Sequence, residues 1–172
     1  MNDRHLSFEF FPPKTPEGRD KLRLVHSQLA RFSPEFFSVT YGAGGSTRDH
    51  TRDIVLEISR AGSNATPHLS FGGDSKQSVL SLLETYREAG IRRIVALRGD
   101  LPSGMGGSTQ LVYANELVQF IREHFGDTFE LLVAAYPEIH PEAESYQKDI
   151  YWLGQKFSAG ASRGITQYFY NI

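Results

Sequence analysis

Six short runs rich in β-branched and aromatic residues recur along this chain, each separated from the next by a stretch with apolar residues at helical spacing. The repeat is about 30 residues, room for one strand, one helix and two connections. Strands joined through a helix come back parallel, so the alternation predicts an α/β fold with a parallel sheet. No linker or low-complexity run divides the 172 residues, and they read as a single domain, 1–172.

The first strand lies in Ser7-Phe8-Glu9-Phe10-Phe11, ended by Pro12-Pro13-Lys14. Thr15-Pro16 then caps and opens a helix that Leu22, Val25, Leu29 and Phe32 continue. The second strand is read at 36–41 and the third at 66–71, with helices carrying Ile54, Val55 and Ile58, and then Val79, Leu82, Leu83 and Tyr86. Ser46 or Thr47 is expected to cap the former, and Asp74 or Ser75 to start the latter. The fourth strand is read at 93–98 and the fifth at 129–136, with a helix marked by Leu111, Ala114, Leu117, Val118 and Ile121 between them. Tyr146, Ile150, Leu153 and Phe157 give the fifth helix, and 164–169 the sixth strand.

Two architectures accommodate repeated βα units: an open doubly wound sheet and a (β/α)8 barrel. An open sheet gathers its site where the strand order reverses. Here polar residues stand near the C-terminal end of every strand: Glu9, Thr40 with Tyr41, His68, Arg98 with Asp100, Tyr136 with His140, and Gln167. A ring of that kind is the barrel pattern, and a barrel needs eight strands. About six βα units are present, so the expected fold is an incomplete (β/α)8 TIM barrel.

Alternation places Phe8 and Phe10 on one face of the first strand and Glu9 on the other. A carboxylate among aromatic rings is costly to bury ionised. The expectation is therefore a Glu9 pKa above the ordinary ~4.3, which suits a general acid. The competing reading is an edge-strand acid facing water. Arg98-Gly99-Asp100 is either a salt bridge across a turn or, beside the glycine-rich loop 103–107, part of a site for an anionic cofactor. On the fifth helix Asp149, Trp152 and Lys156 are expected on a face apart from Ile150, Leu153 and Phe157.

Other chemistries lack support. A net charge of -2 gives no electrostatic case for nucleic acid or an anionic membrane, and no apolar run reaches the length of a span. With no cysteine there is no thiolate nucleophile, and His68 and His140 have no metal-ligand spacing, so no metal is expected. The first residues do not form a signal peptide, and a cytoplasmic location is expected.

Several long motifs then carry a family likeness. Residues 7–14, Val39-Thr40-Tyr41-Gly42-Ala43, Pro67-His68-Leu69, the run 94–102 through Arg98-Gly99-Asp100, the run 136–143 from Tyr136 to Ala143, and Ile165-Thr166-Gln167-Tyr168-Phe169 together resemble methylenetetrahydrofolate reductase. The resemblance implies a TIM barrel with non-covalent FAD, reducing 5,10-methylenetetrahydrofolate to 5-methyltetrahydrofolate with NADH or NADPH. It implies Glu9 as general acid, Asp100 as the acid beside flavin and pterin, and Gln167 as a pterin-binding amide. Glu9 and Asp100 are then both catalytic and substrate-binding. Thr40 matches a position near the nicotinamide. Tyr41, Ala43, His68, Arg98, Gly99, Asp100, Ala114, Tyr136, His140, Ala143, Asp149 and Lys156 match flavin-binding positions.

The family often has Asn and Arg where this chain has Trp152 and Gln155, which bears on contacts to the far end of FAD. Its catalytic domains also continue for about two more βα units, as an eight-strand barrel requires. The expectation is therefore an N-terminal portion of a longer reductase, a homo-oligomer when complete, with little activity alone. The rival readings are another flavin or folate barrel enzyme, and a non-catalytic barrel remnant serving in binding or assembly.

Overall fold

A computed structural model of the chain describes residues 5–41, 45–71, 74–98 and 113–170, the side chains of 45–47 apart. They fall into two compact units. The first, residues 1–68 and 76–92, holds β1 (Ser7–Phe10), α1 (Pro16–Leu29), β2 (Phe36–Val39), α2 (Gly45–Arg60), β3 (Ala65–Leu69, whose last residue falls in the second unit) and α3 (Lys76–Glu88). The second, residues 69–75 and 93–172, holds β4 (Arg93–Ala96), α4 (Ala114–Phe125), β5 (Glu130–Ala135), α5 (Tyr146–Ser158) and β6 (Arg163–Thr166).

Strands β1, β2 and β3 lie parallel in chain order, as do β4, β5 and β6. No reversal of order occurs within either unit. The six parallel strands and their helices are those of an incomplete (β/α) barrel.

Local chemistry explains the elements. Thr15 caps α1 by accepting from the Gly18 amide at 3.1 Å, and Pro16 occupies the first turn, where its missing N–H costs nothing. Phe32 falls outside α1, in a 3₁₀ turn at Ala30–Phe32, and is exposed. On α4 the buried residues Ala114, Leu117, Val118 and Ile121 recur at helical spacing. Leu111 lies outside the described residues. The α5 helix has no fully buried residue, and Tyr146, Ile150 and Phe157 are exposed.

The strands are shorter than the apolar runs that announced them. β2 stops at Val39, β3 at Leu69 and β6 at Thr166. Thr40 and Gln167, the next residues after β2 and β6, each still donate a backbone bond to the neighbouring strand, and the polar side chains stand at these strand ends. At the opposite strand ends the charges are structural. Glu130, first in β5, accepts from Arg93 of β4 at 2.5 Å and from Arg163 of β6 at 2.6 Å. That matches a barrel's division between a stability face and a chemical face.

Candidate active site

Glu9 is positioned by the pleat of β1. Its β2 register partner is Ser38, and Ser38 in turn pairs with Thr66 of β3. Partners in a parallel ladder project to one side, so Glu9, Ser38 and Thr66 form one polar row, with His68 two residues further along the same face. The Ser38 hydroxyl donates to Glu9 Oε2 at 3.5 Å, and His68 Nε2 stands 3.3 Å from the same oxygen. Thr66 is fully buried, and its hydroxyl has no hydrogen-bond partner among the described residues.

The aromatic rings near Glu9 in sequence point elsewhere. Phe8 and Phe10 stack on Phe37 with centroids 5.8 and 5.6 Å apart, and His26 of α1 meets Phe37 edge-on at 4.6 Å. Phe11 is exposed. The Glu9 side chain keeps 51% of its surface accessible, whereas His68 keeps 12%. The His68 hydrogen bond leads in holding the Glu9 carboxyl below its ordinary range, against partial desolvation, with Ser38 adding to it. This corrects the expectation of a raised acid. The apolar surroundings belong to the other face of the strand, and the carboxylate has a basic partner instead.

Thr40 follows β2, its amide donating to the Phe10 carbonyl at 2.9 Å and its carbonyl accepting from the buried Thr51 hydroxyl at 2.8 Å. Tyr41 comes next and is half-buried. Ala43, Gly99 and Asp100 lie outside the described residues.

In the second unit the segment after β5 is shaped by its own polar groups. The His140 amide donates to Asp149 Oδ2 at 3.0 Å, and the Glu142 amide donates to His140 Nδ1 at 3.0 Å. Tyr136 and His140 meet edge-on with centroids 4.5 Å apart, Tyr146 donates to the Pro137 carbonyl, and the Ala143 amide donates to the His140 carbonyl at 2.9 Å. Ile139, β-branched, sits in left-handed backbone at φ 72, a strained conformation for such a residue.

Arg98 reaches across 44 residues of sequence to form a two-pronged pair with Glu142, which holds that carboxyl below its usual range. The turn-spanning pair considered for Arg98 and Asp100 cannot be placed, because Asp100 is not described. Ala114 is buried in the first turn of α4, and the Gln167 backbone N–H donates to the Ala135 carbonyl at 2.9 Å.

Lys156 lies beside a small cavity whose other lining residues are Ala134, Ala135, Tyr136, Asp149, Ile150 and Leu153. Its ammonium donates to the Ala134 carbonyl at 2.8 Å. Burial lowers its pKa, and Asp149 opposes that shift. Asp149 and Lys156 therefore share a surface with Leu153 and Ile150, not a separate face of α5 as expected, because the helix lays that side along the end of β5. Tyr136, the half-buried Lys156 ammonium and the His140 loop thus lie together at the end of β5.

Ser38 was not anticipated. Its signal was available, since it alternates with Thr40 in the run 36–41 and both are polar where a buried strand should be apolar.

The family model for methylenetetrahydrofolate reductase matches residues 1–172. Among curated proteins the chain is 46% identical over 169 residues to the 5,10-methylenetetrahydrofolate reductase of Pectobacterium carotovorum subsp. carotovorum, covering 98% of this chain and 55% of that protein. It is 44% identical to the enzyme of the same name from Escherichia coli (strain K12), at 98% and 56% coverage. It is 39% identical to methylenetetrahydrofolate reductase (NADH) 1 of Arabidopsis thaliana, at 96% and 30% coverage. The chain thus spans about half the length of the bacterial relatives. A solved 2,3-dimethylmalate lyase, at 11% identity, superposes with a TM-score of 0.59 over 96% of this chain and 57% of that one, a likeness of fold alone.

Proposed function

Because the chain belongs to the methylenetetrahydrofolate reductase family, we propose that the protein carrying it reduces 5,10-methylenetetrahydrofolate to 5-methyltetrahydrofolate, with FAD and either NADH or NADPH. The observation that carries this reading is the polar row of Glu9, Ser38 and His68, an acid with a basic partner at strand ends. FAD, when bound, supplies the hydride that it has taken from the nicotinamide.

The chain's own residues bind, orient and move a proton. Tyr136, His140, Ala143, Asp149 and Lys156 form a shaped, cation-bearing wall for the cofactor. Tyr41, Ala43, His68, Arg98, Gly99, Asp100 and Ala114 are its further contacts, and Thr40 lies near the nicotinamide. Glu9 gives the proton that opens the five-membered ring of the folate, so that the one-carbon unit becomes a reactive iminium cation. Asp100 favours that cation electrostatically, and Gln167 binds the pterin. The protein works in the cytoplasm, as a homo-oligomer in its complete form.

The test is a visible spectrum and two half-reactions measured on the purified protein that carries this chain, in its complete form. A flavin band near ~450 nm, bleached by NADH or NADPH and restored by methylenetetrahydrofolate, is the expected result. With Glu9→Gln the bleaching persists and the restoration is lost. A colourless protein, or equal loss of both half-reactions in the variant, overturns the reading.

A further inference from the structure

A group that gives a proton must first hold one. Glu9 is half exposed and is held ionised by its neighbours, so its surroundings do not keep it protonated at neutral pH. Ser38 orients the carboxylate at 3.5 Å, but a serine hydroxyl has no acidic proton to spare near neutrality. The titratable group acting on Glu9 is His68, from β3, and no other charge contributes to the Glu9 environment among the described residues. Its ring is almost covered, and its Nε2 faces Glu9 Oε2.

We propose that His68 supplies the proton that Glu9 delivers, so that the two side chains hold one mobile proton between them. The inference rests on the folate reading above and adds a role for His68 besides contact with the cofactor. The Nε2 proton of the imidazolium passes to Glu9 Oε2, leaving a neutral imidazole and a neutral carboxyl. The substrate C–N bond then breaks, its electron pair stays on nitrogen, and that nitrogen takes the carboxyl proton. Glu9 is again a carboxylate, the positive charge has moved from the imidazole to the iminium carbon unit, and His68 recovers its proton from water. No atom changes oxidation state in this step.

The test compares His68→Gln and His68→Ala with the unaltered protein. Glutamine can hold the carboxylate by its N–H but cannot release a proton. In His68→Gln the folate half-reaction falls at least about ten-fold more than flavin reduction by the nicotinamide, in keeping with general acid–base contributions. In His68→Ala the carbon-13 titration of the Glu9 carboxyl, recorded without any ligand, moves up toward the ordinary ~4.3. A glutamine variant that keeps the wild-type ratio of the two half-reactions shows that His68 only orients Glu9, and overturns the proposal. So does a Glu9 midpoint that does not move. Wild-type protein that never reduces the folate overturns the underlying reading, an outcome distinct from an active wild type with an equally active glutamine variant.

Discussion

The Lys156 ammonium donates to the Ala134 carbonyl at 2.8 Å, from a helix onto the strand that precedes it. Charge is held there against the pull of burial, which lowers the lysine pKa, and Asp149 opposes the shift only in part. The folded chain therefore binds this proton less tightly than the unfolded chain does. Stability rises as pH climbs toward the unfolded lysine value of ~10.4. Lys156→Met should leave the protein as stable or more stable at pH 7, by under about 1 kcal/mol, because removal of a half-buried charge offsets the lost hydrogen bond. The gain should vanish near pH 10. Thermal melts at both pH values check the sign, and weaker dinucleotide binding at pH 7 is the functional counterpart.

His26 titrates in the opposite region. It lies on the inner side of α1, 8% exposed, edge-on to Phe37 and 3.0 Å from the Ser63 hydroxyl. Burial lowers its pKa, with Glu57 acting the other way. Its contribution to stability is fully present above the unfolded value of ~6.5 and is lost as pH falls through the folded value. His26→Leu should flatten the drop in melting temperature between pH 7.5 and pH 5. If the variant melts with the same acid dependence as the unaltered protein, His26 is not its source.

Arg122 closes the bottom of α4. Its guanidinium donates to the Gly160 carbonyl at 3.0 and 2.8 Å, and to the Gly126 and Phe129 carbonyls at 2.8 Å. Lysine cannot reproduce that fork. Arg122→Lys should cost roughly 1–3 kcal/mol, since partly buried carbonyls lose charge-assisted partners. Denaturant midpoints measure it.

Gly160 answers Arg122 from the other side. It has φ +114, and a Cβ there would fall 2.8 Å from Arg122 Cγ. Gly160→Ala should destabilise by about 1–3 kcal/mol through backbone strain and that clash. The loss should shrink when Arg122 is also shortened. A double-mutant cycle without coupling would assign the cost to the backbone alone.

Glu57 joins two helices by accepting from Arg19 at 2.7 Å and Arg23 at 2.5 Å. Arg23 leads in lowering its pKa. The contribution is present above the unfolded carboxylate value and lost as pH falls through the folded one. Glu57→Gln should lower stability at pH 7 by under about 1 kcal/mol and make no difference near pH 3, in melts run side by side.

What could be read in advance follows the range of the interaction. Thr15 and Pro16 announce α1 because a cap acts within one turn, and strand–helix alternation gives the barrel because its period is local. The alternation in β1 correctly separates Glu9 from Phe8 and Phe10. Its electrostatic consequence was misjudged because the deciding partner, His68, comes from β3, 59 positions away by residue number. The Arg98–Glu142 pair likewise depends on a loop whose path no spacing rule specifies. Ser38 was within reach, since strand alternation alone puts it on the same face as Thr40.

Ile139 carries a further meaning. A β-branched residue in left-handed backbone stays there only when the contacts on both sides leave it no alternative, and here the Pro137 carbonyl before it is tied to the Tyr146 hydroxyl and the His140 amide after it to Asp149. The segment is thus set in one shape before any guest arrives. Little disorder remains to be frozen out on binding, so dissociation of the guest, more than its arrival, should register changes in this segment.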